Sequence, residues 1–286
     1  MSLLWVYRFF FSEYDSAAQT LPDYMQITEF LGTEECVGKT CIEEGGSAAP
    51  EGWPADGAIE MKDILFDYQV GAPYALNGVS VSIKSGENIG VCGRTGAGKS
   101  TLLSVLFRLG PLSGGSVKIA GHDLADISCH DVRANVAIVP QSPTLFDGTV
   151  RENLVGGNRN AEDYTDEYLL DTLRTCRLAV LAKRGLDGTI GQLSDGQRQL
   201  FCVARALIRR PKILVLDEST ADLDQDSANE LLRVIDENFK ATTVISIAHR
   251  YETRQLFDRV ARETSATRLQ CVAVLLCHWF VVVQHC

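Results

Sequence analysis

Between Val91 and Thr101 the chain reads VCGRTGAGKST, the spacing GxxxxGK[ST] with Gly93 and Gly98 as the fixed glycines and Lys99 and Ser100 behind them. The chemistry of that spacing is anion binding. Glycines let consecutive backbone N–H groups turn inward around a phosphate, and a following helix aims its unpaired N–H groups and positive dipole end at the same charge. Lys99 adds a mobile cation for the β- and γ-phosphates of a nucleotide, and the Ser100 hydroxyl is a short oxygen ligand of the kind Mg²⁺ takes. The apolar run Ile89 to Val91 precedes the loop, and Leu102, Leu103, Leu106 and Phe107 follow it. Strand and helix therefore flank the glycines as the chemistry requires. The bland alternative is a chance glycine-rich turn. A dinucleotide-type turn is the weaker rival, since Gly93, Gly96 and Gly98 do not make GxGxxG and would leave Lys99 idle.

Far downstream, the run ILVLDE ends in Asp217 and Glu218. Open α/β sheets hold their ligands at the carboxyl ends of buried strands, where Asp217 can hold Mg²⁺ through water and Glu218 can polarise an attacking water. Two adjacent acids after a strand also occur as a plain solvated turn. Behind a phosphate loop they become the expected second half of a nucleoside-triphosphate hydrolase.

The elements that position these groups are legible in the hydrophobic pattern. Ile59 to Tyr68 and the alternating Val79 to Ile83 read as short strands, Ser116 to Ile119 and Val136 to Val139 as further strands, and Ser128 to Arg133 as a short helix. Residues 162 to 182 and 197 to 209 read as helices from their leucine and alanine spacing. Lys212 to Leu216 and Thr242 to Ile247 are continuous apolar runs, typical of parallel strands buried on both faces. The class is α/β, with a helical insertion between residues 150 and 210. Residues 32 to 58 carry Gly32, Gly38, Gly45, Gly46, Gly52, Gly57, Pro50 and Pro54 with little apolar content, so residues 32–57 read as a linker, with the domain boundary near Gly57.

The chain has 286 residues, of which 45% are apolar and 22% charged, enough to bury a sizeable core. Its net charge of −10, from 27 Lys and Arg against 37 Asp and Glu, argues against a nucleic-acid backbone as partner and for a nucleotide. Nine cysteines are scattered without a CxxC pair or zinc-type spacing and read as reduced cytosolic thiols. The aromatic run Leu3 to Phe11 and the apolar run Cys271 to Val283 are both shorter than the roughly 20 residues of a membrane helix. The first reads as the tail end of something longer, and a secretory signal is not expected.

Between the two chemical motifs lies LSDGQRQL at 193 to 200, and STADLD follows at 219 to 224. Together with Gln141 after one strand and His249 after another, the set resembles an ATP-binding cassette nucleotide-binding domain over residues 58–260. LFDGTVRENL at 145 to 154 and ISIAHRYET at 246 to 253 are similar to the second cassette of the multidrug-resistance-associated subfamily of exporters. The first 31 residues resemble the end of that family's last membrane helix and the segment after it, and 261–286 form an atypical tail.

The resemblance implies a P-loop NTPase core with a mixed sheet, an N-terminal antiparallel β-subdomain and a helical signature subdomain. ATP and Mg²⁺ are the implied ligands. Tyr68 stands where the family stacks an aromatic on adenine, although a core tyrosine is the plain alternative. Gly93, Arg94, Thr95, Gly96, Ala97, Gly98, Lys99, Ser100 and Thr101 wrap the phosphates; Ser100 and Asp217 serve the metal, and Gln141 binds either the metal or the attacking water and, standing before a loop, is placed to sense the membrane domains. Glu218 is the implied general base and His249 the γ-phosphate contact. Ser194, Gly196 and Gln197 belong to the signature that closes over ATP held by an opposite cassette. The implied partners are that second cassette, head to tail, and membrane-spanning domains, which place the chain at the cytosolic side of a membrane. A soluble ATPase of the same superfamily, or a fragment without activity, are the alternatives.

Three departures from the family pattern stand out. The stretch GTIGQ before the signature is short, and the chain after Val260 lacks the family's usual continuation, which leaves an exposed apolar sheet edge as the expectation. Asp195 occupies the first glycine of LSGGQ. A carboxylate a few ångströms from a γ-phosphate repels it, so the composite site built on this signature is expected to turn over slowly. Asp195→Gly is expected to raise ATP turnover of the assembled cassette pair, measured as phosphate release; unchanged turnover would count against the electrostatic reading.

Overall fold

The computed structural model describes residues 46–68, 72–92, 96, 98–156, 164–248, 259–263 and 269–272, all within the unit that begins at Gly46. In chain order its elements are β1 (Ile59–Phe66), β2 (Leu76–Ile83), β3 (Asn88–Cys92), α1 (Lys99–Leu106), β4 (Gly114–Ile119), β5 (His122–Asp123), α2 (Cys129–Asn135), β6 (Val136–Val139), α3 (Val150–Val155), α4 (Asp166–Thr175), α5 (Ala179–Arg184), α6 (Asp195–Arg209), β7 (Ile213–Asp217), α7 (Gln225–Asn238), β8 (Thr243–Ala248), β9 (Arg259–Glu263) and β10 (Leu269–Val272).

The strands form two sheets. One is four-stranded and antiparallel in the order β2-β1-β4-β5. The other runs β10-β9-β3-β8-β7-β6; β9, β3, β8, β7 and β6 are parallel, and β10 is antiparallel to β9. Period-2 alternation explains how the larger sheet is covered on both faces. Along β7, Ile213 and Val215 join one buried cluster while Leu214 and Leu216 join the other; along β8, Ile245 and Ile247 face the first and Val244 the second. The first cluster adds Met61, Ile64, Val81 and Ile119 of the small sheet and Leu102, Leu103 and Leu106 of α1. The second is helical, with Leu169, Phe201, Val203, Leu231 and Val234 from α4, α6 and α7.

Several helices start where side-chain caps demand it. Thr149 and Glu152 close a capping box on α3, and Ser194 and Gln197 close another on α6. The expected helix after Gly196 thus begins at Asp195, because Ser194 satisfies the first-turn N–H groups. The span 162 to 182 contains two helices rather than one: α4 ends at Thr175, Arg177 takes φ 60°, and α5 begins at Ala179. The strand expected from Val79 starts at Leu76, and the one expected to reach Tyr68 stops at Phe66.

Two sequence expectations about the borders change. From Gly46 onward the presumed linker packs on the domain. Ser47 N donates to Asp126 O at 2.9 Å, Ser128 N donates to Ser47 O at 2.9 Å, and the indole of buried Trp53 donates to Ile119 O at 3.2 Å. Burial of the Trp53 ring and these hydrogen bonds act together to order a stretch whose glycines and prolines alone suggest a linker. At the other border, Arg259–Glu263 pairs along β3 from Ile89↔Arg259 to Cys92↔Arg262, so β3 has neighbours on both sides instead of an open edge.

Among the described cysteines, Cys176 and Cys202 are buried thiols outside any disulfide, and burial pushes Cys176 up to about 12. If residues 46 to 57 belong to the folded unit, Trp53→Ala lowers its stability by about 3–5 kcal/mol in urea titration. A change within the noise of the titration would return the segment to the linker.

Candidate functional site

Parallel pairing delivers the carboxyl ends of β3, β8, β7 and β6 to one edge of the sheet. The register carries this to single residues: Val91 pairs with Ile247, Ile247 with Asp217, and Leu216 with Val139. The glycine loop leaves β3, Glu218 leaves β7, and Pro140 and Gln141 leave β6, all at that edge. The loop residues Gly93, Arg94, Thr95 and Ala97, and His249 after β8, lie outside the described residues.

Helix α1 starts at Lys99 with Gly98 as its cap, at φ 85° and ψ 7°; no side chain caps it and no acid stands in its first turn. Its N-terminal N–H groups therefore suit an anion. Only glycine fits at 98: besides the left-handed backbone, a Cβ there would meet Ala75 O and the Leu76 side chain at 2.9 Å. Gly96 also has positive φ, at 81°, but a Cβ there would meet nothing. Lys99 is buried, Ser100 is exposed and Thr101 is buried. The Tyr68 hydroxyl and Thr101 Oγ1 are 2.9 Å apart, and the Tyr68 ring stands edge-on to Phe66 at 5.2 Å between centroids. The ring is 65% exposed. This rules out the core-tyrosine alternative and leaves an anchored aromatic with an open face beside the helix start.

At the end of β7, burial pushes the Asp217 carboxyl above the usual carboxylate range, the Glu218 charge pushes the same way, and Lys99 opposes both. Glu218 adopts φ 47°, a left-handed conformation unfavourable for a residue with a side chain. The turn is held by Glu218 N donating to Ile247 O at 3.1 Å and by Ala221 N donating to Glu218 O at 2.9 Å.

The donor set at this edge fits Mg²⁺. Asp217, the Ser100 hydroxyl and the Gln141 amide are all hard oxygen donors. No group of three or more His, Cys, Asp or Glu among the described residues makes a self-sufficient cage. A cation held by one carboxylate, a hydroxyl and the ligand's own phosphates is the usual Mg²⁺ arrangement. Asp217, half-buried beside a second acid, has the unbalanced negative charge that such a cation would offset.

The LSDGQ residues stand on a different element. Ser194 Oγ accepts from Gln197 N at 3.3 Å, and Ser194 N donates to Gln197 Oε1 at 3.1 Å. Asp195 is exposed in the first turn of α6. Gly196 is buried because α7 passes there: a Cβ would lie 2.9 Å from Ser227 Oγ. This turn and Gln141 border one cleft of about 260 Å³, together with Arg198, Gln199, Ser219 and Asp222. Gln199, which motif reading passed over, donates from Nε2 to Pro140 O at 3.1 Å and to Gln141 O at 2.8 Å. Asn153 and Arg205 were also passed over. Asn153 brackets Phe146, accepting from its N and donating to its O, both at 2.8 Å, while Arg205 donates to Thr144 O at 2.7 Å. No spacing rule in the sequence signals such long-range braces.

A family profile described as ABC transporter matches residues 76–221, from the start of β2 through Asp217 and Glu218. The chain belongs to the ABC transporter family. Among its relatives, ABC transporter C family member 3 of Dictyostelium discoideum is 43% identical over 226 residues, which is 77% of this chain and 16% of that protein. ABC transporter C family member 3 of Arabidopsis thaliana is 40% identical over 207 residues, 70% of this chain and 13% of that protein. Oligomycin resistance ATP-dependent permease YOR1 of Saccharomyces cerevisiae is 37% identical over 231 residues, 74% and 16%. The chain thus spans about a sixth or less of the length of these relatives. The ABC cassette implies a P-loop NTPase α/β fold that binds ATP, and the two sheets and helices described above agree with it.

The raised Asp217 carboxyl has a pH signature. A group whose folded value lies above its unfolded value contributes stability at pH below the ordinary carboxylate range, and that contribution is lost as pH rises through the folded value. Without ligand, Asp217→Asn is therefore expected to melt higher than the parent at pH 7, with the gap closing toward pH 3–4. Melting curves across that range check it, and a variant less stable than the parent at pH 7 would refute the assignment.

Proposed function

We propose that this chain is the second nucleotide-binding cassette of a C-family exporter, binding and hydrolysing ATP at the shared edge of β3, β8, β7 and β6. The carrying observation is the meeting of Lys99, Asp217, Glu218 and Gln141 at that edge, with the LSDGQ turn of α6 bordering Gln141 in one cleft. The LSDGQ turn on α6 resembles the signature that the family closes over ATP held by an opposite cassette, which supports pairing with a second cassette, head to tail.

In this reading Tyr68 offers its open face to adenine, and the backbone of Gly93 to Thr101 surrounds the phosphates. Lys99 stabilises charge on the γ-phosphate as the transition state develops. Ser100, Asp217 and Gln141 hold Mg²⁺, which when bound offsets the charge of the β- and γ-phosphates. Glu218, fixed by its strained turn, orients the attacking water and takes its proton as the bond to ADP breaks. His249 contacts the γ-phosphate. Ser194, Gly196, Gln197 and the start of α6 address the partner's γ-phosphate, with Asp195 as a brake.

Membrane-spanning domains are the second partner class. No helix among the described residues is long and apolar enough to cross a membrane, so association with the membrane would run through them, on its cytosolic side. Phe146 suits that contact: it is 67% exposed on a loop that Asn153 and Arg205 hold rigid. A pre-ordered aromatic loses little entropy on docking.

Thermal unfolding with and without Mg²⁺-ATP tests the reading. Ligand at about 100 times its Kd adds roughly 2.7 kcal/mol, a rise of about 5–10 °C for a domain of this size. Lys99→Ala is expected to lose the rise. Glu218→Gln is expected to keep it while lowering turnover of the assembled pair by about 10²–10⁴. A rise that survives Lys99→Ala, or none in the parent, would overturn the proposal.

A further inference from the structure

We infer that Gln199 is a positioning residue for Gln141, holding it in place from the helix that carries the LSDGQ turn; the inference rests on reading Gln141 as an oxygen ligand toward Mg²⁺. Gln199 is buried, and both hydrogens of its amide are committed to consecutive carbonyls, Pro140 O at 3.1 Å and Gln141 O at 2.8 Å. Its Oε1 is buried with no hydrogen-bond partner. The amide thus forgoes its acceptor to keep both donors on this one stretch of backbone. A side chain serving stability alone would gain by being apolar or fully satisfied, because an orphaned buried acceptor is costly.

The backbone at Gln141 needs such a hold. β6 is the last strand of the sheet among the described residues, its ladder with β7 stops at Val139, and Pro140 has no N–H to extend it. A metal ligand misplaced by a few tenths of an ångström loses much of its value, so the group that fixes its backbone is part of its function. The hold comes from a stiff element. The Ser194–Gln197 capping box closes the first turn of α6, and Gly196 seats that turn against Ser227 of α7. Gln199 follows directly in the same helix. Any shift of the LSDGQ turn is therefore transmitted to Gln141, which joins the half-site of this chain to the half-site its signature completes.

The test compares ATP affinity by calorimetry in Mg²⁺ and in EDTA for the full chain, Gln141→Ala, Gln199→Met, Gln199→Glu and the Gln141→Ala/Gln199→Met double variant. Gln199→Met keeps the volume and removes the donors; Gln199→Glu is nearly isosteric and turns an acceptor toward the two carbonyls, so either one suffices if the other fails to fold. The expected result is a loss of about 10-fold in the Mg²⁺-dependent gain in affinity, with affinity in EDTA unchanged. The double variant is expected to lose no more than Gln141→Ala alone. A purely structural role would lower affinity equally in both buffers, or add to Gln141→Ala, and either result overturns the inference. If Gln141→Ala leaves the Mg²⁺-dependent gain intact, the reading of Gln141 as a metal ligand fails and the inference falls with it.

Discussion

Parallel register between β3, β8, β7 and β6 is the constraint on which the other features depend. Parallel strands must return by crossovers, so each strand contributes one loop to the same edge. Here those loops carry a lysine, two acids and a glutamine that lie far apart in sequence. The edge also concentrates charge of both signs in a partly buried place. Lys99 is buried near Asp217, whose carboxyl is pushed up by burial and by Glu218 while Lys99 pushes it down. Such an arrangement is poorly suited to stability and well suited to a polyanion that arrives with a cation.

The two covered faces explain how the sheet tolerates this. Alternate residues of β7 and β8 enter different cores, one shared with the antiparallel sheet and α1, the other with α4, α6 and α7. The edge can therefore stay polar and strained, as at Glu218 with φ 47°, because the burial that holds the strands lies below it. Gly98 shows the same division: its left-handed turn brings the backbone so close to Ala75 that no side chain fits.

The chemistry was legible in the sequence because each motif is local: the glycine loop, the DE pair and LSDGQ each span a few residues. The buried strands Ile213–Asp217 and Thr243–Ala248 were legible within one residue for the same reason, as unbroken apolar runs. What was not legible is the bracing between distant segments. Gln199 on Gln141, Arg205 on Thr144, Asn153 on Phe146 and Trp53 on Ile119 are contacts whose partners no periodicity announces. Composition misled at residues 46–57, where glycine and proline suggested a linker although Trp53 anchors the segment. The S-x-x-Q signal at Ser194 to Gln197 was present but overshadowed by its role as a signature.

The pairing of β3 has a consequence for how the molecule comes into being. β3 carries the glycine loop near the front of the domain, yet its neighbours β8 and β9 come from far downstream. The antiparallel sheet, by contrast, is completed by segments close in sequence to one another. Contacts between distant segments form late, since the intervening chain must first be ordered. During synthesis the loop would emerge early and wait, its strand unflanked, until the last strands arrive. The ability to hold a phosphate is thus among the last properties this chain acquires as it folds.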